Sequence, residues 1–302
     1  MAQLTVVRDK AQMSETAAGR ITSLIEAAIV IRNAAAISLT GGHTPDLLYA
    51  CLADPDRSWR ARIDWARVHL FWSDERNVPP DHPESNFGLA NRTLIQHVPV
   101  PAAHVHRMRG EVPAVDAGHE YDVMLRARRN EMAGPLFDVT LLGIGADAHI
   151  ASIFPESPLL ANSTSGADLS GSPRGPKGSA PHVHIDPIGA DLSASGADLS
   201  ASGADLSASG ADPSGPRERA SGVWVPTLTQ WRITQTPAAL LDSTAIIVMA
   251  AGSTKADATA AAIEGALNVS RYPAQLLRAA KERVEWIIDD TAARSVSPKP
   301  TA

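Results

Sequence analysis

Asp147 and His149 lie two residues apart on a glycine-containing segment, Gly143-Ile144-Gly145-Ala146-Asp147-Ala148-His149. A neutral imidazole takes a proton from water near neutral pH, and a carboxylate at this spacing can reach the same reacting group. A surface histidine on an ordinary turn would look the same locally, so the other parts of the chain must decide. Three further groups carry possible chemistry. Gly41-Gly42-His43-Thr44 precedes Pro45 and an apolar helical stretch. A glycine turn running into a helix N-terminus is either an anion site or a plain strand-to-helix connection. Ser73-Asp74-Glu75-Arg76 offers two carboxylates and a guanidinium, either to orient a sugar hydroxyl and hold an oxyanion or to form a structural ion-pair cluster. Gly252-Ser253-Thr254-Lys255 repeats the glycine-to-helix arrangement with a lysine, a solvated first-turn residue or a phosphate counter-charge. Ser152 lies close to His149, but no G-x-S-x-G elbow surrounds it, so a serine nucleophile is not expected.

Each group follows a short apolar run. Ala34 to Leu39, Val68 to Trp72, Val139 to Leu142 and Ala245 to Ala250 read as buried strands, and Val284 to Ile288 as a last one. Trp231 to Thr234 reads as a short strand or strand entry. Between them, residues 14 to 32 place Ile21, Leu24, Ile25, Ala28 and Ile29 at helical spacing. Further helices are expected from Thr44 as N-cap with Pro45 in the first turn, from near Glu84, from Val115 to Met132, and after Lys255. This alternation predicts an α/β fold, a mostly parallel sheet with helices on both faces. Ligands of such sheets bind beyond the carboxyl ends of the strands, where all four groups fall.

The chain has 302 residues, 44% of them hydrophobic, enough for a sizeable core. Its 27 basic and 33 acidic residues give a net charge of −6 and no basic block, which argues against a nucleic-acid partner. The single cysteine, Cys51, excludes an intrachain disulfide and a cysteine-rich metal site. No apolar run approaches a membrane span and no signal pattern opens the chain, so a cytoplasmic protein with no membrane partner is expected. From Leu160 to about Ser221 the composition shifts to Ser, Gly, Ala, Asp and Pro. Within it, GADLSAS recurs every seven residues from Gly189, Gly196 and Gly203. One leucine per unit makes no heptad seam, and such a tract cannot offset its ordering entropy. The expectation is one domain, 1–302, interrupted by a low-complexity, disordered insertion at about 162–221.

The motifs LTGGHTPDLLYA, HLFWSDERNVPPDHPESNF, FDVTLLGIGADAHIASIFPESP, RITQT and VMAAGSTKADA, in this order, resemble the 6-phosphogluconolactonase family, related to the glucosamine-6-phosphate deaminases. The likeness covers about four fifths of the chain. It implies an open Rossmann-like sheet, no metal or nucleotide cofactor, and a small sugar phosphate as substrate. The implied reaction is hydrolysis of 6-phospho-D-glucono-1,5-lactone in the pentose phosphate pathway. By the same resemblance His149 would activate water, while Asp147 and Asp74 would orient groups in the cleft. Arg76 would contact the substrate near its carbonyl or phosphate. Gly41, Gly42, His43, Thr44, Lys255 and Arg232 would hold the phosphate. The family's pattern has Pro and Gly where this chain has Ala146 and Ala148, Thr where it has Ile150, and Ser where it has His43. If the glycine position needs a positive φ, Ala148 would strain the loop. The alternatives are an amino-sugar phosphate deaminase or isomerase and a non-catalytic sugar-phosphate-binding protein.

Overall fold

A computed structural model describes residues 2–42, 44–131, 134–163 and 218–297. Their elements follow in order: β1 (Gln3–Val7), α1 (Lys10–Arg32), β2 (Ala35–Leu39), α2 (Asp46–Ala53), α3 (Ser58–Arg62), β3 (Val68–Trp72), β4 (Asp74–Arg76), α4 (Asn86–Thr93) and α5 (Ala114–Glu131). After these come β5 (Phe137–Gly143), β6 (Ala220–Val225), β7 (Gln230–Gln235), α6 (Pro237–Leu240), β8 (Ser243–Ala250), α7 (Ala256–Ile263) and β9 (Val284–Asp289). His43, Met132 and most of the expected insertion lie outside the described residues.

The main sheet has six strands in the order β1-β9-β8-β5-β2-β3, and every pairing in it is parallel. Buried parallel strands read as continuous apolar runs because both faces are covered. β5 shows this: Phe137 to Leu142 are all buried. Successive side chains point to opposite faces. Val139, Leu141, Ile247 and Met249 thus pack with Met13, Ile21 and Ile25 of α1 and with α2. Leu142, Ile246, Val248 and Ala250 face the other way, against Ala258 and Ala262 of α7 and Leu276 and Leu277.

Beside α7, that second face is covered by α5 and by a second sheet that the sequence pattern did not resolve. β4, β7 and β6 form an antiparallel three-stranded sheet. Ala117, Tyr121 and Leu125 of α5 meet Ile233 and Ala220 of this sheet over Phe71 and Phe137. The segment containing Arg232 is therefore a strand of the second sheet, not of the main one. β4 continues directly from β3 across Ser73, and the chain changes sheets within one residue.

The start of α2 also differs from expectation. Pro45, not Thr44, holds the N-cap position, with no side-chain cap. The Asp46 carboxylate accepts from the Leu47 N–H and the Lys10 ammonium, the latter at 2.7 Å. Near this turn the Tyr49 hydroxyl donates to the Thr40 carbonyl at 2.6 Å and accepts from the Thr40 N–H at 3.1 Å. This fully buried tyrosine fixes the point where β2 gives way to the glycine turn.

Candidate active site

The strand order reverses direction at β2 and β5: the chain leaves β2 for β3 on one side and β5 for β8 and β9 on the other. Crevices form at such a point beyond the carboxyl ends of the strands. The turn at Gly41-Gly42 follows β2, Asp74 and Arg76 follow β3, His149 follows β5 and Lys255 follows β8. Parallel pairing brings all four connections to the same edge of the sheet.

The loop after β5 is held by its own backbone. The Gly145 N–H donates to the His149 carbonyl at 2.9 Å, and the Ala148 N–H to the Gly145 carbonyl at 3.0 Å. His149 Nδ1 lies 2.6 Å from Asp147 Oδ1, and the imidazole stacks on Phe154 at 4.1 Å between centroids. A carboxylate only accepts, so Nδ1 carries the proton and Nε2 keeps its lone pair. The same carboxyl oxygen accepts from the His149 N–H at 3.2 Å. Partial burial raises the Asp147 pKa, but the hydrogen bond and charge of His149 outweigh it and hold the carboxyl below its usual value. Gly145 permits this packing, since a Cβ there would sit 2.0 Å from His149 Nδ1.

Ala148 adopts φ +64° and is fully buried, so the strain anticipated from sequence is present. Its carbonyl accepts from the Ala274 N–H at 2.9 Å, which helps impose that conformation. A left-handed residue with a Cβ costs roughly 1–2 kcal/mol, and one buried methyl gives back about 0.8 kcal/mol. Ala148→Gly is therefore expected to raise the unfolding free energy by up to about 1 kcal/mol. Urea denaturation checks this; a loss of stability would mean that methyl packing outweighs the backbone.

Arg76 and Arg232 face each other across the β4–β7 pair, as do Asp74 and Thr234. Residues directly opposed, and those two apart, share one face of a sheet. These four side chains therefore line one face. Arg232 is 9% exposed, and no hydrogen bond or ion pair reaches its guanidinium among the described residues. Burial and the neighbouring charge of Arg76 lower its pKa, against the pull of Asp74, Glu84 and Glu75. Arg76 donates to the Glu84 carbonyl. Two adjacent guanidiniums, one buried without a partner, make a site prepared for an anion.

Asp74 is buried and internally engaged. It accepts from Ser152 Oγ at 2.7 Å through one oxygen, and from Asn86 Nδ2 at 3.3 Å and Ser73 Oγ at 3.4 Å through the other. Glu75, by contrast, caps α4: its carboxylate accepts from the N–H groups of Asn86 and Phe87 at 2.7 and 2.8 Å and from Ser85 Oγ at 3.0 Å. Burial raises the Glu75 pKa, with those bonds opposing the shift. Glu75 is thus structural, but as a helix cap and not as a member of an ion-pair cluster.

Sequence reasoning missed Asn86. Its Nδ2 donates to the Asp74 carbonyl at 2.8 Å, and a Cβ on Gly41 would overlap its Oδ1 at 1.7 Å. Gly41 is thus required by close approach, whereas Gly42 is required by its φ of +90°. The signal available was Ser85-Asn86 at the end of a proline-rich loop, read only as a helix start. Lys255 is partly exposed, and its side chain has no hydrogen bond or ion pair among the described residues. Among the described residues no cluster of His, Cys, Asp and Glu could hold a metal ion, and no helix is long and apolar enough to cross a membrane.

The sequence and the fold have known counterparts. The 6-phosphogluconolactonase of Streptomyces coelicolor is 40% identical over 164 residues, which cover 52% of this chain and 62% of that protein. The chain thus spans about three fifths of the length of the curated relative it matches. A solved 6-phosphogluconolactonase from Trypanosoma brucei superposes with a TM-score of 0.69 at 22% identity, covering 98% of this chain and 99% of that one. A monomeric glucosamine-6-phosphate deaminase superposes with a TM-score of 0.65 at 16% identity, over 97% and 99% of the two chains. Both superpositions speak for the fold alone. The model of the glucosamine-6-phosphate isomerases and 6-phosphogluconolactonases matches residues 8–180 and 214–286, and with most of its length so matched the chain belongs to that family.

Proposed function

We propose that the protein hydrolyses 6-phospho-D-glucono-1,5-lactone to 6-phosphogluconate, with His149 as the base that activates water. The observation that carries this reading is the His149 imidazole: Nδ1 is committed to Asp147 at 2.6 Å, while the loop is joined to the face bearing Arg76 and Arg232. Nε2 takes a proton as water adds to C1, and the imidazolium returns it to the ring oxygen as the C1–O bond breaks. Asp147 keeps the tautomer and offsets the imidazolium charge. Arg76 and Arg232 hold the phosphate or the developing oxyanion, with the Gly41–Thr44 turn and Lys255 as further phosphate contacts. Binding the remote phosphate orients the carbonyl against the water.

The name of the Streptomyces coelicolor relative favours the lactonase over an isomerase or deaminase. The test is turnover of freshly made lactone, corrected for spontaneous opening, beside glucosamine 6-phosphate. Turnover of the amino sugar alone would replace this reading with the deaminase. A cytoplasmic location belongs to the same proposal, and cell fractionation checks it.

We also infer one catalytic domain interrupted by an insertion. Both flanks of residues 164–217 reach α6: the helical turn Pro158–Ser163 packs on it, and Arg219 donates to the Ala238 carbonyl at 3.1 Å. A short linker can close such a gap at little entropic cost. Replacing 164–217 with a glycine-serine linker is expected to retain cooperative unfolding and turnover; loss of the unfolding transition would show that the segment packs into the fold.

A further inference from the structure

The catalytic loop and the arginine face meet at one serine. Ser152 is 2% exposed, three residues beyond His149, in a turn closed by the Ile153 N–H on the Ile150 carbonyl at 2.9 Å. Ala151 in this turn has φ +48°, so local backbone preference does not favour the conformation. Ile150 and Ile153 anchor it from the apolar side, both essentially fully buried. On the polar side Ser152 makes two bonds to the second sheet. Its hydroxyl donates to Asp74 Oδ2 at 2.7 Å, and its N–H donates to Thr234 Oγ1 at 3.2 Å. Asp74 and Thr234 are directly opposed partners of β4 and β7, one step from the opposed pair Arg76 and Arg232. Asp74 also accepts from Asn86, which lies against Gly41. One buried hydroxyl therefore connects the segment carrying the base to the strands carrying the cations and, through Asn86, to the glycine turn.

We propose that Ser152 is a positioning residue that fixes the His149 imidazole relative to the Arg76–Arg232 pair through its paired bonds to Asp74 and Thr234. This rests on the lactonase reading of the site. A phosphate held by the arginines places the carbonyl at a set distance from them, so the base must keep a matching distance. Displacements of about 1 Å between reacting groups cost on the order of 10²-fold in rate. Asp74 acts in the same unit as the acceptor of the Ser152 bond, without touching substrate.

The experiment compares wild type, Ser152→Ala and Ser152→Thr for lactone turnover, inhibition by inorganic phosphate, thermal unfolding and amide exchange over residues 146–154. Ser152→Ala is expected to lower kcat about 10–100-fold, leave phosphate inhibition within about twofold, and speed exchange in the loop. Ser152→Thr keeps the hydroxyl and is expected to recover most of kcat. If Ser152→Ala does not fold, Thr234→Val replaces it: the bond from the Ser152 N–H is lost while Asp74 keeps its charge, with a smaller fall in kcat and the same unchanged phosphate inhibition. A lower melting temperature with kcat within about twofold of wild type would reduce Ser152 to a structural serine and overturn the proposal. Absence of wild-type turnover sinks the lactonase reading instead. In that event exchange decides: unchanged loop protection in Ser152→Ala overturns the tie, and lost protection supports it.

Discussion

His149→Ala is expected to lower kcat for 6-phosphogluconolactone hydrolysis by about 10²–10⁴-fold while changing KM little. On the proposed mechanism the imidazole acts on water, not on the phosphate, so its removal should spare ground-state binding. Asp147→Asn gives an intermediate case. The carboxyl is held below its usual pKa by His149 and is ionised at neutral pH, so it offsets the imidazolium that forms in the reaction. An amide at this position can also donate to Nδ1, which puts the proton on Nε2 and leaves that nitrogen unable to act as the base. The measurement is steady-state turnover for all three proteins. A His149→Ala enzyme with near-wild-type kcat would assign the base to another group.

Most of the main sheet could be read directly from the sequence, because buried parallel strands are continuous apolar runs. Ala35–Leu39, Val68–Trp72 and Ser243–Ala250 fall within a residue or two of expectation. β1 was not anticipated: as an edge strand its residues are mostly exposed or half-buried, and its apolar signal is short. The second sheet was hidden for a different reason. β4 has three residues, all charged, and it pairs with β7 across more than 150 residues of chain that include the insertion. Nothing local marks a charged triplet as a strand; the pairing partner does.

The site shows the same division. The Asp147–His149 contact was legible because the residues are two apart on one loop. The left-handed Ala148 could be anticipated from the family pattern, since glycine at that position signals a conformation as well as a residue. Glu75 and Asp74 stand next to each other in sequence and point to opposite faces of β4. One caps α4 and the other meets Ser152. Strand periodicity alone separates their roles, and it could be applied only once β4 was known to be a strand. The expected N-cap at α2 shifts by one residue because Pro45, in the right-handed helical region, stands directly before α2 and leaves Thr44 outside it.

Arg232→Met should weaken binding and leave the unliganded protein at least as stable, two effects that ordinarily oppose one another. Arg232 is 9% exposed, with Arg76 beside it and no ion pair to its guanidinium among the described residues. Burial and repulsion are costs that the empty site bears, and an apolar side chain of similar length removes both. On the proposed reading the substrate phosphate supplies the missing counter-charge, so the cost is recovered only on binding. Charge-assisted hydrogen bonds of this kind contribute about 1.5–3 kcal/mol, which predicts a rise in KM of roughly 10–150-fold. The inhibition constant of inorganic phosphate should rise by a similar factor, while the melting temperature holds or increases. Arg232→Lys keeps the charge but loses the planar fork, and should fall between the two in affinity. Raised ionic strength should weaken binding to wild type more than to Arg232→Met, because the methionine variant has one fewer cation to screen. An unchanged KM, or a large loss of stability in the methionine variant, would make Arg232 a structural cation and leave Arg76 and Lys255 to hold the phosphate.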